Sequence, residues 1–186
     1  MPTAVIVVDM VKDNLELSVH DHLARRALAI VDAVNRLTGQ ARRLGWPVVL
    51  ATDSFLPGDA IFRGRMKEHS LRGTPGAEVS SLLERAPTDT WLPKRRLSAF
   101  FKTDLDQSLR LWGVGRVAVC GLMTPYCVLM TALDAVSLDF QAVIVEDASA
   151  APSDAQHQNC LDIYRKSPLN PLLSVMKLDE LLAMEG

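Results

Sequence analysis

Cysteine is scarce in this sequence. Only Cys120, Cys127 and Cys160 occur, an odd number with no Cys-x-x-Cys pair. That argues against a disulfide framework and a zinc site, and it fits a reducing, cytoplasmic setting. An excess of one charge is missing too. Against 20 Lys and Arg stand 22 Asp and Glu, so the net charge is -2 and neither nucleic acid nor an anionic membrane is an expected partner. No apolar run reaches the length of a membrane span. The N-terminus enters a β-like run with no basic stretch before it, so no signal peptide is expected. Repeats, linkers and low-complexity segments are absent. So is a phosphate-binding Gly-Lys-Thr or Gly-Lys-Ser, and the Gly-Val-Gly at 113–115 precedes a strand rather than following one, which excludes a dinucleotide fingerprint.

What is present reads as an ordinary globular chain. Its 186 residues, 48% apolar and 23% charged, suit a single domain over 1–186 that is large enough to bury a core. Short β-branched runs alternate with helical patterns. Strands are expected at 3–9, 46–53, 88–93, 116–121 and 141–147, with a weak one at 173–177. Helices are expected at 20–44, 77–85, 103–112, 125–138 and 153–165, with a last one closing the chain. Residues 54–76 carry no clean period and several Gly and Pro, so they form a long loop of the kind that is usually functional or disordered. Strand–helix alternation implies an α/β fold with a parallel sheet covered on both faces.

Ligands of such sheets bind beyond the carboxyl ends of the strands. Asp9, Asp53, Lys94 and the segment 121–127 all fall at such ends. In GLMTPYCVLMTALDA (121–135), Thr124 is a good N-cap and Pro125 suits the first helical position. Cys127 then lies in the first helical turn. There the dipole favours a thiolate, lowering the thiol pKa, and free N–H groups could hold an oxyanion. A buried structural cysteine is the other reading of that position, and position alone leaves both open. Cys120 in mid-strand and Cys160 in mid-helix read as structural. Asp9 could accept a proton, or simply cap a turn. Lys94 opens KRRLSAFF and should project beside Asp9, whereas Arg95 and Arg96 read as solvated. His20 and His22 also read as solvated, and His157 as a helix-face residue rather than a ligand.

Together these residues resemble a known family. Asp9, Lys94 and Cys127, with GLMTPYCVLMTALDA and VIVEDASA, are similar to the isochorismatase-like cysteine hydrolases, which include nicotinamidases and N-carbamoylsarcosine amidases. HSLRGTPGAEV (69–79) and KRRLSAFFKTDLD (94–106) also look like family segments.

The resemblance implies a three-layer α/β/α fold with six parallel strands in the order 3-2-1-4-5-6. It implies a triad in which Cys127 attacks a carbonyl, Asp9 moves the proton and Lys94 polarises the site. It also implies a cis Leu122–Met123 peptide and an oxyanion site at the Met123 and Cys127 N–H groups. The implied activity is hydrolysis of a small amide, carbamoyl or ureido compound through a thioester. Isochorismatases proper lack the cysteine and cleave a vinyl ether, so Cys127 points to the amidase branch. A non-catalytic or isochorismatase-type member that binds a small carboxylate or amide is the alternative.

The departures from the family pattern are specific. Asn14 stands where an aromatic often walls the pocket, and Met66 where a Trp is common. Metal-binding nicotinamidases carry Asp-x-His on the second strand and a loop histidine. Here Asp53 and His69 remain as a weak remnant, but Phe55 takes the first histidine's place. No cofactor is therefore expected, since a metal shell needs about four ligands. Asn14, Phe55, Met66 and His69 are the substrate-pocket candidates. The family also implies a homo-oligomer, dimer or tetramer. Residues 98–101 (SAFF) could serve a subunit contact or the pocket.

Overall fold

A computed structural model describes residues 1–17 and 21–184. The expected solvated histidines His20 and His22 belong to the stretch whose placement or side chains lie outside the described residues. The apolar runs become strands β1 (Thr3–Val8), β2 (Val48–Asp53), β3 (Thr90–Lys94), β4 (Arg116–Leu122), β5 (Gln141–Ala150) and β6 (Leu173–Met176). All residues of β1, β2 and β4 are buried, as continuous apolar runs require when both faces of a sheet are covered. The six strands form one sheet in the order β3-β2-β1-β4-β5-β6, and every pair is parallel.

Period-2 alternation divides the core between the two faces. Val5, Val7, Leu50, Ala118, Cys120 and Val143 point one way, against Leu23, Ala27, Val34 and Leu37. The latter come from helices α2 (Asp21–Ala29) and α3 (Val31–Arg43), which follow the short α1 (Lys12–Leu15). Ala4, Ile6, Ala51, Val117, Val119 and Ile144 point the other way. There they meet Leu105 and Leu109 of α4 (Leu105–Leu111), Ala132 and Ala135 of α5 (Leu129–Ser137), and Leu161 of α6 (Asp154–Arg165). The last helix, α7 (Leu178–Ala183), returns Leu178 and Leu181 to the first face. No helix of the described residues is long and apolar enough to cross a membrane.

Two expected helices are corrected. Residues 20–44 do not form one continuous helix. The Ile30 N–H bonds to the Ala27 carbonyl three residues back, which tightens the ladder between α2 and α3 while the apolar stripe runs through. Residues 77–85 form no helix at all. Pro75–Ala77 is a 3-10 turn, and the chain then runs extended, with Val79 bridged antiparallel to Val11. The Lys12 N–H bonds to the Glu78 carbonyl, the Ser80 N–H bonds to the Met10 carbonyl, and Glu16 accepts from Ser80 Oγ and the Ser81 N–H. Partners distant in sequence take the groups that a helix would have used internally.

One glycine sets the geometry at the centre. Gly121 pairs with Val8 across β1 and β4 and has φ 103. A Cβ built there would lie 2.2 Å from the Val8 carbonyl oxygen, so only glycine lets the ends of these two strands come together.

Candidate active site

Asp9 follows β1 immediately. Its φ of 53 lies in the left-handed region, which is unusual for a non-glycine residue and turns the chain at the sheet's carboxyl edge. Three bonds hold that turn. The Asp9 N–H reaches the Ala51 carbonyl at 2.8 Å, Asn14 Nδ2 donates to the Asp9 carbonyl at 2.9 Å, and Asp9 Oδ1 accepts from the Asp53 N–H at 2.7 Å. Asn14 does line the cavity described below, but its amide is committed to Asp9, so it holds the turn as well as forming wall.

Lys94 ends β3, two strands away, and is almost fully buried. Its ammonium has three hydrogens and meets three oxygens. They are Asp53 Oδ1 at 2.5 Å, Asp9 Oδ2 at 2.9 Å and the Arg96 carbonyl at 3.2 Å. Burial disfavours the charged amine, but the Asp53 and Asp9 carboxylates outweigh it and hold its pKa well above the ordinary lysine value. Burial and the Asp53 charge push the Asp9 carboxyl up to about 7, against the opposing pull of Lys94. Asp9 Oδ2 makes its ion pair to Lys94 without accepting an aligned hydrogen bond, so this oxygen remains available to a proton.

Cys127 completes the cluster. Oxygens of Asp9 and Asp53 and the Cys127 sulfur all lie within 4.8 Å of one another. The Leu122–Met123 peptide is cis. The turn that carries the thiol differs from the expected helix start. Thr124–Val128 is a π-helical turn, in which the Val128 N–H reaches back to the Met123 carbonyl, and α5 begins only at Leu129. Thr124 does not cap it. Its hydroxyl pairs with His157 Nδ1 of α6 at 2.8 Å, and its carbonyl lies 3.9 Å from the Cys160 sulfur. The expectation of a lowered thiol pKa is likewise reversed. Burial pushes the Cys127 thiol well up, Lys94 opposes this, and the Asp9 and Asp53 carboxylates reinforce it. The surroundings thus favour the thiol form of Cys127 over the thiolate, beside the Asp9 carboxyl. Burial raises the Cys120 and Cys160 thiols as well, as suits structural cysteines.

These groups open into a cavity of about 780 Å³. Phe55, Met66 and His69 all line it, as the sequence suggests. Phe55 and His69 are buried and form a ring cluster with Phe62, edge-on, with centroids 5.0 to 5.8 Å apart. His69 Nδ1 lies 2.9 Å from the Lys67 carbonyl, which can only accept, so Nδ1 carries the hydrogen. Leu23, from the apolar stripe of α2, also lines the cavity, as do Ile61, Leu97 and Tyr126, which no spacing signal marks because loops and a turn bring them there. Of residues 98–101, Ser98, Ala99 and Phe100 are buried and Phe101 is exposed; none lines the cavity.

The long loop is tied down from both sides. Asp13 Oδ2 accepts from the Ser70 N–H at 2.6 Å. Arg95 and Arg96, expected to be solvated, keep 41% and 39% of their side-chain surface exposed and also flank the buried Asp59. Arg95 Nη2 is 2.5 Å and Arg96 Nη1 3.6 Å from Asp59 Oδ1, and the Arg95 hydrogen bond helps lower the Asp59 carboxyl to about 2. Neither Asp13 nor Asp59 stands out in the sequence, since each acts through a partner far along the chain.

The donor set does not suit a resident metal. At the remnant site Asp53 Oδ2 and His69 Nε2 lie 3.9 Å apart, and Phe55 offers a ring where a further donor is needed. At Asp9, Asp53 and Cys127 the donors are close enough, but the Lys94 ammonium already lies against both carboxylates and would repel a divalent ion.

The fold and the site together define an α/β protein whose thiol, two carboxylates and ammonium converge beyond the ends of a parallel sheet. Residues 3–174 match the family model described as the isochorismatase domain, and the chain belongs to that family. A protein of Arabidopsis thaliana described as a probable inactive nicotinamidase is 32% identical over 182 residues, which span 92% of each chain. The crystal structure of N-carbamoylsarcosine amidase from Thermoplasma acidophilum is 32% identical, with 96% of this chain and 98% of that one covered and a TM-score of 0.82. A pyrazinamidase of Pyrococcus horikoshii, solved in complex with zinc, is 26% identical over 95% of this chain and 99% of that one, also with a TM-score of 0.82.

Proposed function

We propose that this protein is a cysteine-dependent hydrolase of a small amide, carbamoyl or ureido compound. The observation that carries this reading is the convergence of Cys127 and Asp9 at the wall of one cavity, with the buried Lys94 ammonium paired to Asp9 behind it. The amidase among the structural relatives supports C–N hydrolysis as the reaction class. In the first step Asp9 Oδ2 takes the thiol proton while sulfur attacks the substrate carbonyl carbon. The negative charge that develops on the carbonyl oxygen is met by N–H groups at Met123 and Cys127. Asp9 then passes its proton to the leaving nitrogen, the C–N bond breaks, and ammonia or an amine departs from a thioester. Water attacks the thioester, Asp9 takes its proton, and the acid is released as the thiol is restored. Lys94 keeps two carboxylates close together at the site without itself exchanging a proton. As a family trait, a homo-oligomer in solution belongs to this reading.

An ammonia-release screen over small amides, with Cys127→Ala as control, tests the proposal. Cys127→Ala should lose at least about 10³-fold in kcat/KM, and full activity in that variant refutes the mechanism. The likeness to a probable inactive nicotinamidase favours one other reading, a non-catalytic binding protein. Tight binding of an amide that the wild-type protein never turns over would select it.

A further inference from the structure

We infer that the Cys127 cavity is built for a neutral amide carrying a bulky apolar group, and that it discriminates against amides bearing a carboxylate; this rests on the hydrolase reading of the same site. Three observations point there. The first is the wall. Beside Asp53 it presents Phe55 and His69 of a three-ring cluster, a surface suited to the face or edge of an apolar substituent. Toward the mouth Ile61, Met66 and Leu97 are only partly buried and Tyr126 is exposed, so apolar surface extends outward from the thiol. The second is size. A volume of about 780 Å³ lies high in the range of roughly 300–1,000 Å³ found for sites that enclose drug-sized ligands, and a bare carbamoyl group would leave most of it empty.

The third is charge. The inner polar groups are already engaged with one another: Asn14 with the Asp9 carbonyl, Asp53 with Lys94, His69 with the Lys67 carbonyl. With Asp9 ionised, the two carboxylates and one ammonium sum to one negative charge, and with Asp9 protonated to none. The Lys94 ammonium has three oxygen partners and is not among the lining residues. Among the described residues, the one cation lining the cavity is Lys67, which is exposed. A substrate carboxylate entering here would lose its hydration beside Asp9 and Asp53 with no buried cation to receive it.

The test compares 3-phenylpropanamide with succinamic acid, in which a carboxylate replaces the phenyl group, and with a cationic amide, β-alaninamide. Ammonia release gives kcat/KM with the wild-type protein. Calorimetry with Cys127→Ala gives affinity apart from turnover. The expected result is a preference of about 100-fold for the phenyl amide in kcat/KM, with tighter binding in the variant as well. If the phenyl amide binds the variant at least ~10-fold tighter than the other two yet the wild type releases no ammonia from it, the apolar specificity stands and the hydrolase reading falls. If succinamic acid or β-alaninamide is bound more tightly or turned over faster, the apolar specificity is overturned while the hydrolase reading survives. Failure of all three to bind also overturns it.

Discussion

Asp9 and Cys127 stand in a mutual arrangement that neither could set alone. Burial raises both groups, favouring the thiol form of Cys127 and pushing the Asp9 carboxyl up to about 7. In the proposed mechanism Asp9 acts as an ionised base, so kcat/KM should climb as pH rises through about 7 and flatten above it. Asp9→Asn should abolish that rise and lower activity by roughly 10²–10⁴-fold. The same shift has a cost in stability. The folded state holds the Asp9 proton more tightly than the unfolded chain, so this contribution is full below about pH 4 and is lost as pH rises toward 7. Urea midpoints of wild type, measured relative to Asp9→Asn, should therefore fall between pH 5 and pH 8. Lys94 has the opposite role. Its replacement in Lys94→Met would leave two buried carboxylates without a cation, at a cost of roughly 3–5 kcal/mol at pH 8. Acidification should recover part of that loss, because protonating Asp9 removes one of the two charges, and a denaturation series from pH 8 to pH 5 would show it. The placement of Asp9, Lys94 and Cys127 near strand ends was legible in the sequence. Their protonation states were not, because those depend on burial and on Asp53, which come from three different strands and a turn.

The turn that carries Cys127 is an element built from outside. Thr124 reads as an N-cap, yet its hydroxyl is held by His157 and its carbonyl approaches Cys160, so one face of α6 clamps the π-helical turn. Thr124→Val keeps the shape and removes the bond to His157. We expect kcat to fall about 10-fold with KM nearly unchanged, since the thiol loses aim while the cavity wall stays in place. Equal rates in the two proteins would show that the clamp does not position Cys127. The loop opposite behaves in the same way. Its histidine segment is pinned where Asp13 accepts the Ser70 N–H. Local spacing could not reveal either device. A helical period was legible in 20–44 because the stripe is continuous, whereas 77–85 has enough apolar residues to suggest a helix and spends its backbone groups on Met10, Lys12 and Glu16 instead.

At the scale of the whole molecule, the order β3-β2-β1-β4-β5-β6 places β1 in the middle, flanked by β2 and β4. Asp9, Asp53 and the turn after β4 therefore meet at one edge, and Lys94 reaches them from the next strand out. The close pairing of β1 with β4 at Gly121 makes that edge sensitive. Gly121→Ala should destabilise by more than about 3 kcal/mol, through both its φ and the contact with Val8. In hydrogen exchange, amides of β1 and β4 should open only with global unfolding, and those of 56–68 far sooner. The zinc-bound relative sharpens a further expectation. Because Phe55 stands beside His69 and Lys94 beside the carboxylates, dialysis against EDTA should leave amide turnover unchanged, which an ammonia assay before and after would check.

The sequence by itself determined the alternation of strands and helices and the chemical types gathered at the strand ends, because periodicity and residue type act locally. It also carried, in its motifs, the likeness to the family. Only the tertiary structure decided which groups meet, how burial shifts their protonation and which residues line the cavity. Those properties arise from distances between residues tens of positions apart, and from the loss of water around them.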